Sequence, residues 1–287
     1  MVSDVYFIKG TEPSDVVKAF EALHKELPGK VAVKVHTGEE GNQNYMRPDF
    51  WRPMVKAIGG TVVECNTAYE GERNSTEKHR KLIHEHGWDT FDFDLMDAEG
   101  PDDVLDIPNG KVIKKDYVGK HLKNYDSLLV LAHFKGHPMG GFGGALKQLS
   151  IGCASSYGKA NIHGAGHPDG NIWATEQDLF LESMADAASA VVRRFNGNAA
   201  YVSVMKNISV DCDCVAQAED PCMADIGTLS SLDPVALDQA CLDLVYSSKD
   251  PGRDHLVERI ERQHGVHTVE AAEALGVGSR KYKLIEI

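Results

Sequence analysis

The chain has 287 residues, enough to bury a full hydrophobic core, and its apolar (42%) and charged (25%) fractions are those of a globular protein. A net charge of −13 argues against non-specific binding to nucleic acid or anionic membranes, which requires a basic surface. The first residues lack a signal peptide's charged segment, and no apolar run approaches the ~20 residues of a membrane span. We therefore expect a cytoplasmic protein with no membrane partner, whose six cysteines are not paired in disulfides.

Apolar runs alternate with helical patterns along the chain. Strands are predicted at residues 4–8, 30–35, 61–65, 127–132, 199–205 and 282–287. Helices are predicted over 15–27, 52–58, 76–86, 179–195, 234–245 and 255–264. The polar segment 101–119 predicts a hairpin or a surface excursion, and the Gly-, Ser-, Ala- and His-rich stretch 153–176 predicts a long loop.

This alternation predicts an α/β fold with a mostly parallel sheet and helices on both faces. It fits a single domain over residues 1–287 or two lobes, about 1–125 and 126–287. The sequence leaves open whether the chain forms a homo-oligomer.

The segment after the second strand carries the first group of candidate functional residues. Period-two alternation puts Lys34 and His36 on one face, and the glycines that follow permit a tight turn toward Glu39 and Asn42. Lysine, histidine and glutamate at one strand end favour binding of an anionic substrate and transfer of a proton. The alternative is a strand end with solvated charges.

The segment from His133 to Lys147 combines histidines, lysines and glycines directly after a buried apolar run. Open α/β sheets place their ligand sites where strands give way to such loops. The glycines favour either a phosphate cradle of backbone N–H groups or a plain turn, and no Walker or dinucleotide fingerprint fits. His133 and Lys135 are expected to support a site built on His137 and Lys147.

Two cysteine-containing segments are candidates for metal binding. Cys153 could be a ligand, a nucleophile or an inert core residue, and His163 follows it in a Gly-rich stretch. The second segment is Asp211-Cys212-Asp213-Cys214. Alternate residues of an extended chain point to opposite sides, so Cys212 and Cys214 bind one metal only if the backbone turns. Downstream, Asp233-Pro234 predicts the start of a helix.

Taken together, these motifs resemble the DUF362 family, known mainly as uncharacterised "Fe–S centre" proteins. The resemblance rests on K-V-H-T-G-E-E-G-N (34–42), H-F-K-G-H with G-F-G-G-A-L-K (133–147), G-C-A-S (152–155), D-C-D-C (211–214) and D-I-G with D-P-V-A-L-D (225–238). Many members carry a ferredoxin-like insert after G-C-A-S, whereas residues 156–178 contain no cysteine here. An iron–sulfur cluster in this chain would therefore have to use Cys153, Cys212, Cys214 and Cys222.

The segment from His137 to Lys147 is also similar, more distantly, to the nickel-pincer lactate racemase family. The similarity lies in the spacing from His137 to Lys147 and on to His163; the arginine before the family's lysine is Leu146 here. This resemblance implies that Lys147 tethers a cofactor, that His163 ligates nickel and that His137 is a proton-transfer base, with His36 as the second base.

The sequence thus predicts a metal- or cofactor-dependent enzyme acting on a small anionic metabolite by racemase- or isomerase-like acid–base chemistry. The cofactor is a metal ion, a nickel-pincer-type group or an iron–sulfur cluster. The expected catalytic residues are His36, Glu39, His137 and Lys147; substrate or cofactor binding is expected of Lys34, Asn42, His133, Lys135, Gly141, Gly143, Gly144, Ser155 and Lys159; metal binding is expected of Cys153, His163, Cys212 and Cys214. The alternatives are an iron–sulfur or other metal redox protein that uses the cysteines, and a non-catalytic protein that binds a ligand or metal.

Overall fold

The computed structural model describes residues 2–287. Its strands are β1 (Ser3–Ile8), β2 (Val31–Lys34), β3 (Thr61–Glu64), β4 (Phe93–Leu95), β5 (Asp103–Asp106), β6 (Lys115–Val118), β7 (Ser127–His133), β8 (Lys135–His137), β9 (Gly141–Gly143), β10 (Ala199–Met205), β11 (Gly227–Ser231) and β12 (Tyr282–Glu286). Its α-helices are α1 (Pro13–Glu21), α2 (Pro48–Ile58), α3 (Thr76–Glu85), α4 (Ala145–Cys153), α5 (Ser156–His163), α6 (Gln177–Phe195), α7 (Pro234–Ser247), α8 (Arg253–Arg262) and α9 (Val266–Ala274).

Eight strands form one sheet in the order β12-β1-β11-β10-β7-β2-β3-β4. The five strands from β10 to β4 run parallel, β11 is antiparallel to both of its neighbours, and β12 is parallel to β1. The chain moves outward from β2 to β3 and β4 and then returns to the other side of β2 as β7. The strand order therefore reverses between β2 and β7, which is where open α/β sheets bind ligands.

Alternate residues of the parallel strands face opposite sides of the sheet. Val33 and Leu129 pack with Trp51 and other residues of α1, α2 and α3 on one face. Ala32 and Val130 pack with α4, α6, α7 and α9 on the other face. The predicted α/β fold, with a mostly parallel sheet and helices on both faces, is confirmed. This one sheet contains strands from before and after residue 125, the boundary of the two lobes considered in the sequence analysis.

The predicted hairpin in segment 101–119 is confirmed as the β5–β6 pair. The predicted loop over 153–176 is wrong in its first part, because α4 ends at Cys153 and α5 follows at once. Ser155 begins α5 by accepting a hydrogen bond from Gly158 N at 3.1 Å, which is an N-cap signal present in the sequence. The small residues of α5 have a weak intrinsic helix propensity. They form a helix here because α5 packs against β6 and α6, and this burial outweighs the weak propensity.

Local backbone and capping features also set the ends of other helices. Asp233 accepts hydrogen bonds from Val235 N (2.9 Å) and Ala236 N (3.1 Å), which confirms the predicted start of α7. The helix predicted over 15–27 stops at Glu21, and His24 adopts a left-handed backbone conformation three residues later. The elements that were not predicted, besides α5, are the helices α4 and α9 and the strands β4, β8, β9 and β11. None of the helices within residues 2–287 combines the length and apolar character that a membrane crossing requires.

Candidate functional site

A small cavity lies at the switch point, at the carboxyl edge of the parallel strands. Lys34 is the last residue of β2, Glu64 ends β3, and Lys135 follows β7 by two residues. The cavity has a volume of about 50 Å³, room for a few water molecules or a small polar group. Its ionisable lining consists of Lys34, His36, Glu64, Tyr69, Arg73, Lys135, His137, Lys147, Lys159, His163 and Cys214.

Lys34 is fully buried, and its ammonium is completely bonded. It donates to Glu64 Oε1 at 2.9 Å, to Gln148 Oε1 at 3.0 Å and to the Val35 carbonyl. A buried charge is tolerated only with such compensation. Lys34, predicted as a ligand-binding residue, therefore ties the ends of β2 and β3 to α4.

A second buried group surrounds Asp213. Lys135 Nζ lies 2.5 Å from Asp213 Oδ2, and His133 Nδ1 lies 2.9 Å from Asp213 Oδ1. The other nitrogen of His133 faces the Lys206 carbonyl at 2.6 Å. Burial opposes ionisation of Asp213, but the charges of His133 and Lys135 hold its pKa well below the usual range. These bonds fasten the Asp211–Cys214 segment to the end of β7.

Glu39 lies in a third paired group. Arg73 Nε donates to Glu39 Oε2 at 3.1 Å, and Arg73 Nη2 donates to the Tyr69 hydroxyl at 2.9 Å. Glu39 is buried and does not line the cavity. We call the three cations with carboxylate partners, Lys34, Arg73 and Lys135, the paired wall of the cavity.

Several predicted ligand-binding residues prove to support the backbone. The Asn42 amide donates to the Cys212 carbonyl (3.2 Å) and the Val215 carbonyl (2.7 Å), while its oxygen accepts from two backbone N–H groups. Ser155 caps α5 and bonds Asp102 at 2.7 Å. Gly141 has a φ of 76° and packs directly on the Gly265 backbone. These residues hold loops in place and do not line the cavity.

The glycines before α4 do not offer a phosphate cradle. The Asp238 carboxylate accepts hydrogen bonds from Ala145 N (2.8 Å) and Leu146 N (2.9 Å), so it already occupies the helix N-terminus. A Cβ at Gly144 would lie 2.4 Å from Asp238 Oδ1, which explains the glycine there. Gly143 lines the cavity beside the Lys135 and Lys147 side chains.

Two lysines of the cavity have no carboxylate partner within residues 2–287. Lys159 is buried and donates to the Ala154 carbonyl at 2.7 Å, and burial lowers its pKa. Lys147 is partly buried, and its Nζ lies 3.6 Å from Cys212 Sγ. Burial opposes the charge of Lys147, but the neighbouring Cys212 raises its pKa. We call Lys147, Lys159 and the adjacent His163 the open wall of the cavity.

Three imidazoles line the cavity, and burial is the largest cause of a lowered pKa in each. The pKa of His137 falls to about 4 and that of His163 to about 3, while that of His36 lies well below its usual value. All three are therefore neutral at neutral pH. Neutral imidazoles can accept or donate a proton, or bind a metal.

The thiols of Cys212 and Cys214 come together with His137. The donor atoms of these three residues lie within 4.8 Å of one another, and Cys214 Sγ is 3.6 Å from His137 Nε2. The backbone turn required to bring both thiols to one point is present, because Cys214 N contacts Cys212 Sγ at 3.5 Å. This group could hold a metal ion, and its sulfur donors suit a soft or borderline metal such as zinc or nickel.

The four-cysteine arrangement expected for an iron–sulfur cluster does not form within the described chain. Cys153 lies in the hydrophobic core on α4, where burial raises its pKa to about 12. Cys222 Sγ contacts the Ile208 carbonyl at 3.4 Å. Neither residue joins Cys212 and Cys214, and His163 also lies outside that group.

Sequence reasoning missed four residues that shape the cavity: Glu64, Tyr69, Arg73 and Gln148. It placed Asp213 in a candidate metal-binding segment but did not predict its ion pair with Lys135. Glu64 carried one usable signal, a charge at the end of an apolar strand directly beside β2. Arg73 and Tyr69 lie in an irregular segment between β3 and α3, where no periodicity places a side chain.

The comparisons with known proteins agree with the motifs. The family model DUF362, a domain of unknown function, matches residues 31–243. No protein with a curated description matches the sequence.

Two solved structures are similar to the chain at low sequence identity and low TM-score. The lactate racemase apoprotein from Thermoanaerobacterium thermosaccharolyticum is 16% identical with a TM-score of 0.43, covering 71% of this chain and 51% of that one. A Thermotoga maritima protein solved by a structural genomics consortium is 11% identical with a TM-score of 0.45, covering 93% of this chain and 60% of that one. The chain thus spans little more than half the length of either protein. The family match covers well over half of the sequence, and the chain belongs to the DUF362 family.

Proposed function

We propose that this chain is an enzyme that acts on a small anionic metabolite by moving a proton inside the cavity at the β2–β7 switch point. The observation that carries the proposal is the composition of that cavity. Two lysines without carboxylate partners, Lys147 and Lys159, share it with the neutral imidazoles of His36, His137 and His163.

Each part of this composition has a chemical consequence. Ammonium groups without a carboxylate partner in a low-dielectric cavity attract an anion, because little water screens them. The small volume favours a compact metabolite over a nucleotide. A neutral imidazole has a lone pair that can accept a proton, and the charge of an anion bound beside it would raise its lowered pKa toward neutral pH, which racemase- or isomerase-like chemistry requires.

A metal or cofactor would bind beside this anion. Cys212 and Cys214 would hold a soft metal ion, for which their sulfur donors are suited. When bound, the metal would supply a Lewis acid that polarises an oxygen or carbon of the substrate. Within the chain, the lysines orient the anion and the imidazoles hold or transfer the proton.

The test is hydrogen exchange with solvent. Purified protein is incubated in deuterium oxide with a panel of small carboxylates, and loss of carbon-bound hydrogen is followed by NMR. We expect exchange or interconversion of at least one compound, reduced about 100-fold or more by Lys147→Met, because an orienting charge contributes on that scale. Lys56→Met, on the exposed surface of α2, is the matched control and should leave the rate unchanged. Equal rates for the two variants would contradict the proposal.

The second candidate is a metal-binding redox protein or a non-catalytic metal carrier. It is favoured by the convergence of His137, Cys212 and Cys214. Metal analysis of anaerobically purified protein tests it, with Cys212→Ser and Cys214→Ser expected to lose the metal and Cys241→Ser, in the core, to keep it. Bound metal without turnover of any compound would favour this candidate over the enzyme.

A further inference from the structure

A second and larger pocket adjoins the cavity. It has a volume of about 540 Å³. Ala68, Tyr69 and Ile172 line both spaces, so the two are direct neighbours. The remaining lining residues are Glu70, Ala160, Pro168, Gly170, Asn171 and Trp173, and most of these are exposed. We call this space the outer pocket, because it lies between the cavity and the surface of the protein.

Trp173 is the tryptophan of this chain that is open to solvent. Trp51 and Trp88 are buried in the hydrophobic core, whereas 59% of Trp173 is exposed. A large apolar side chain in water gives up the stabilisation that burial supplies, so its exposure at a pocket points to a binding role. Its ring centroid lies 6.1 Å from that of Tyr69 and 6.4 Å from that of His163. Trp173 is therefore exposed and also within contact range of side chains that line the cavity.

Tyr69 provides a fixed ring at the boundary between the two spaces. Its hydroxyl accepts a hydrogen bond from Arg73 Nη2 at 2.9 Å and donates one to Glu39 Oε2 at 3.3 Å. Arg73 and Glu39 are themselves buried and paired with each other at 3.1 Å. Because this network orients the ring before a ligand arrives, Tyr69 loses little side-chain freedom on binding.

The segment that carries Trp173 is attached to the fold by few polar contacts. Within residues 2–287, the hydrogen bonds of residues 167–174 all stay inside the segment 164–174. Trp173 N, for example, bonds the Asn171 side chain at 3.1 Å. Segments with few tertiary contacts move at a low cost in free energy. Trp173 can therefore adjust its position against a bound group.

The charges of the two spaces differ. In the described chain, Glu70 is the one charged residue that lines the outer pocket, and it is exposed. The cavity, in contrast, is lined by the ammonium groups of Lys147 and Lys159. A phosphate or a second carboxylate in the outer pocket would meet no cation there and would be repelled by Glu70. The outer pocket therefore suits an uncharged group, and its exposed tryptophan and fixed tyrosine suit an aromatic one.

We infer that the outer pocket binds an aromatic ring carried by the substrate, and that Tyr69 and Trp173 determine this specificity. The inference rests on the proposed function and specifies its substrate class as a small aromatic carboxylate. The carboxylate lies beside Lys147 and Lys159 in the cavity, and the ring lies against Tyr69 and Trp173.

The sizes of the two spaces agree with this division of the substrate. The cavity, at about 50 Å³, has room for a carboxylate but not for a ring. A space of about 150 Å³ accommodates benzene. The outer pocket is several times larger than that, and pockets of its size commonly bind small organic molecules through aromatic side chains.

Calorimetric titration of the full chain with matched pairs of carboxylates tests the inference. The pairs are acetate with phenylacetate, propionate with phenylpropionate, and lactate with phenyllactate, and the members of each pair differ by one phenyl ring. We expect the phenyl compound of at least one pair to bind at least about 10-fold more tightly, because burial of a ring contributes on that scale. Equal affinity within every pair would overturn the inference.

Substitutions identify the residue that carries this preference. Trp173→Ala should reduce the preference for the phenyl compound to about 3-fold or less and leave the affinity for its partner unchanged, since only the ring contact is lost. Trp173→Phe keeps an aromatic face and should retain most of the preference. Tyr157→Ala removes an aromatic side chain on α5 that is 47% exposed and does not line the outer pocket, so this matched control should behave like wild type. The wild-type preference in Trp173→Ala would contradict the role of Trp173.

Quenching of fluorescence by acrylamide gives a measurement on the unaltered chain. Trp173 is the accessible tryptophan, so it should supply most of the quenchable emission, which Trp173→Phe should then remove. A saturating phenyl compound should shield Trp173 and lower the quenching constant, whereas its partner without the ring should not. An unchanged quenching constant with the phenyl compound bound would contradict the placement of the ring.

The outcomes also separate this inference from the function on which it rests. A phenyl preference that depends on Trp173, without exchange of carbon-bound hydrogen in any compound, would support the outer pocket and overturn the proposed function. Exchange that depends on Lys147, with equal affinities within every pair, would support the function and overturn the inference. Absence of binding by every carboxylate would overturn both.

Discussion

Both walls of the cavity contain lysines, but within the described chain those of the paired wall bond carboxylates and those of the open wall do not. In the paired wall, Lys34 and Lys135 each bond a carboxylate at 2.9 Å or less. In the open wall, Lys147 has no carboxylate partner within residues 2–287 but lies beside the Cys212 sulfur. Burial opposes ionisation of Cys212, but a hydrogen bond from Cys214 and the charge of Lys147 hold its pKa well below the usual value. Lys159 has only a carbonyl partner and is therefore the uncompensated charge of this wall. Because an uncompensated buried charge costs several kcal/mol, a paired cation is explained by the fold, whereas a partnerless one points to a ligand.

The largest expected effect lies in the paired wall. Asp213→Asn should lower the free energy of unfolding by about 3–5 kcal/mol, because it leaves Lys135 buried without its carboxylate partner. Urea denaturation measures the change. Asp49→Asn, which removes an exposed ion pair with Arg52, is the control and should cost less than about 1 kcal/mol. Similar losses in the free energy of unfolding for the two variants would show that the buried ion pair contributes no more to stability than the exposed one.

Asn42 holds the backbone of the segment that carries Asp213, the carboxylate partner of Lys135 in the paired wall. Asn42→Ala removes two bonds to the carbonyls of Cys212 and Val215 and leaves buried backbone N–H groups unpaired. We expect a loss of about 1–3 kcal/mol, the cost of unsatisfied buried groups. Calorimetric unfolding of this variant, beside Asn109→Ala on the exposed surface, gives the comparison. A loss equal to that of the control would mean that the cysteine segment is held by other contacts.

Asp116 is a buried carboxylate without a partner in the described chain, and so it allows the comparison of paired and unpaired buried charges to be made for an acidic residue. It is fully buried on β6, neither of its oxygens has a hydrogen-bond partner within residues 2–287, and burial raises its pKa to about 8. A folded-state pKa above the unfolded value of about 3.9 means that the folded chain binds the extra proton between these limits. The contribution of Asp116 to stability is therefore complete below about pH 4 and is lost as the pH rises toward about 8.

The Asp116→Asn variant isolates this contribution. Its free energy of unfolding, relative to wild type, should increase between about pH 4 and about pH 8 and level off above that. Urea denaturation across this range measures the difference, with Asp254→Asn on an exposed surface as the control. A difference that does not change with pH would show that Asp116 ionises normally.

The smallest expected change in stability lies in the open wall. Burial lowers the pKa of Lys159, so the folded chain holds this proton less tightly than the unfolded chain does. The resulting penalty is present below the folded-state pKa and disappears as the pH rises toward the unfolded value. Lys159→Met should therefore leave the protein as stable as wild type or slightly more stable at neutral pH, as measured by thermal unfolding. A loss comparable to that of Asp213→Asn would place Lys159 in the paired wall instead.

Six of the strands and six of the helices could be predicted individually because burial imposes a local pattern. Residues 128–132 of β7 are all apolar because both faces of this strand are covered. Asp233 accepts hydrogen bonds from the N–H groups two and three residues further on and so marks the start of α7. The helix α5 was missed because its small residues form a helix through packing against β6 and α6, contacts that the local sequence does not encode.

The segments that line the cavity were predictable, but the partners of their charged side chains were not. His36, His137, Lys147, Lys159 and His163 do line one cavity, because the parallel strands bring their carboxyl ends together. Their partners come from distant parts of the chain: Asp213 lies 78 residues from Lys135, and Gln148 lies 114 from Lys34. Which charges are neutralised depends on those contacts, and no spacing in the sequence shows it.

Calorimetric titration with a panel of small carboxylates tests the central claim most directly, comparing wild type with Lys159→Met and with Lys81→Met on the exposed face of α3. The account predicts that at least one carboxylate binds to wild type and to Lys81→Met with equal affinity, and at least about 10-fold more weakly to Lys159→Met, since each lost charge contact costs about 1.4 kcal/mol or more. Equal affinity for all three proteins would contradict the claim that the open wall binds the anion.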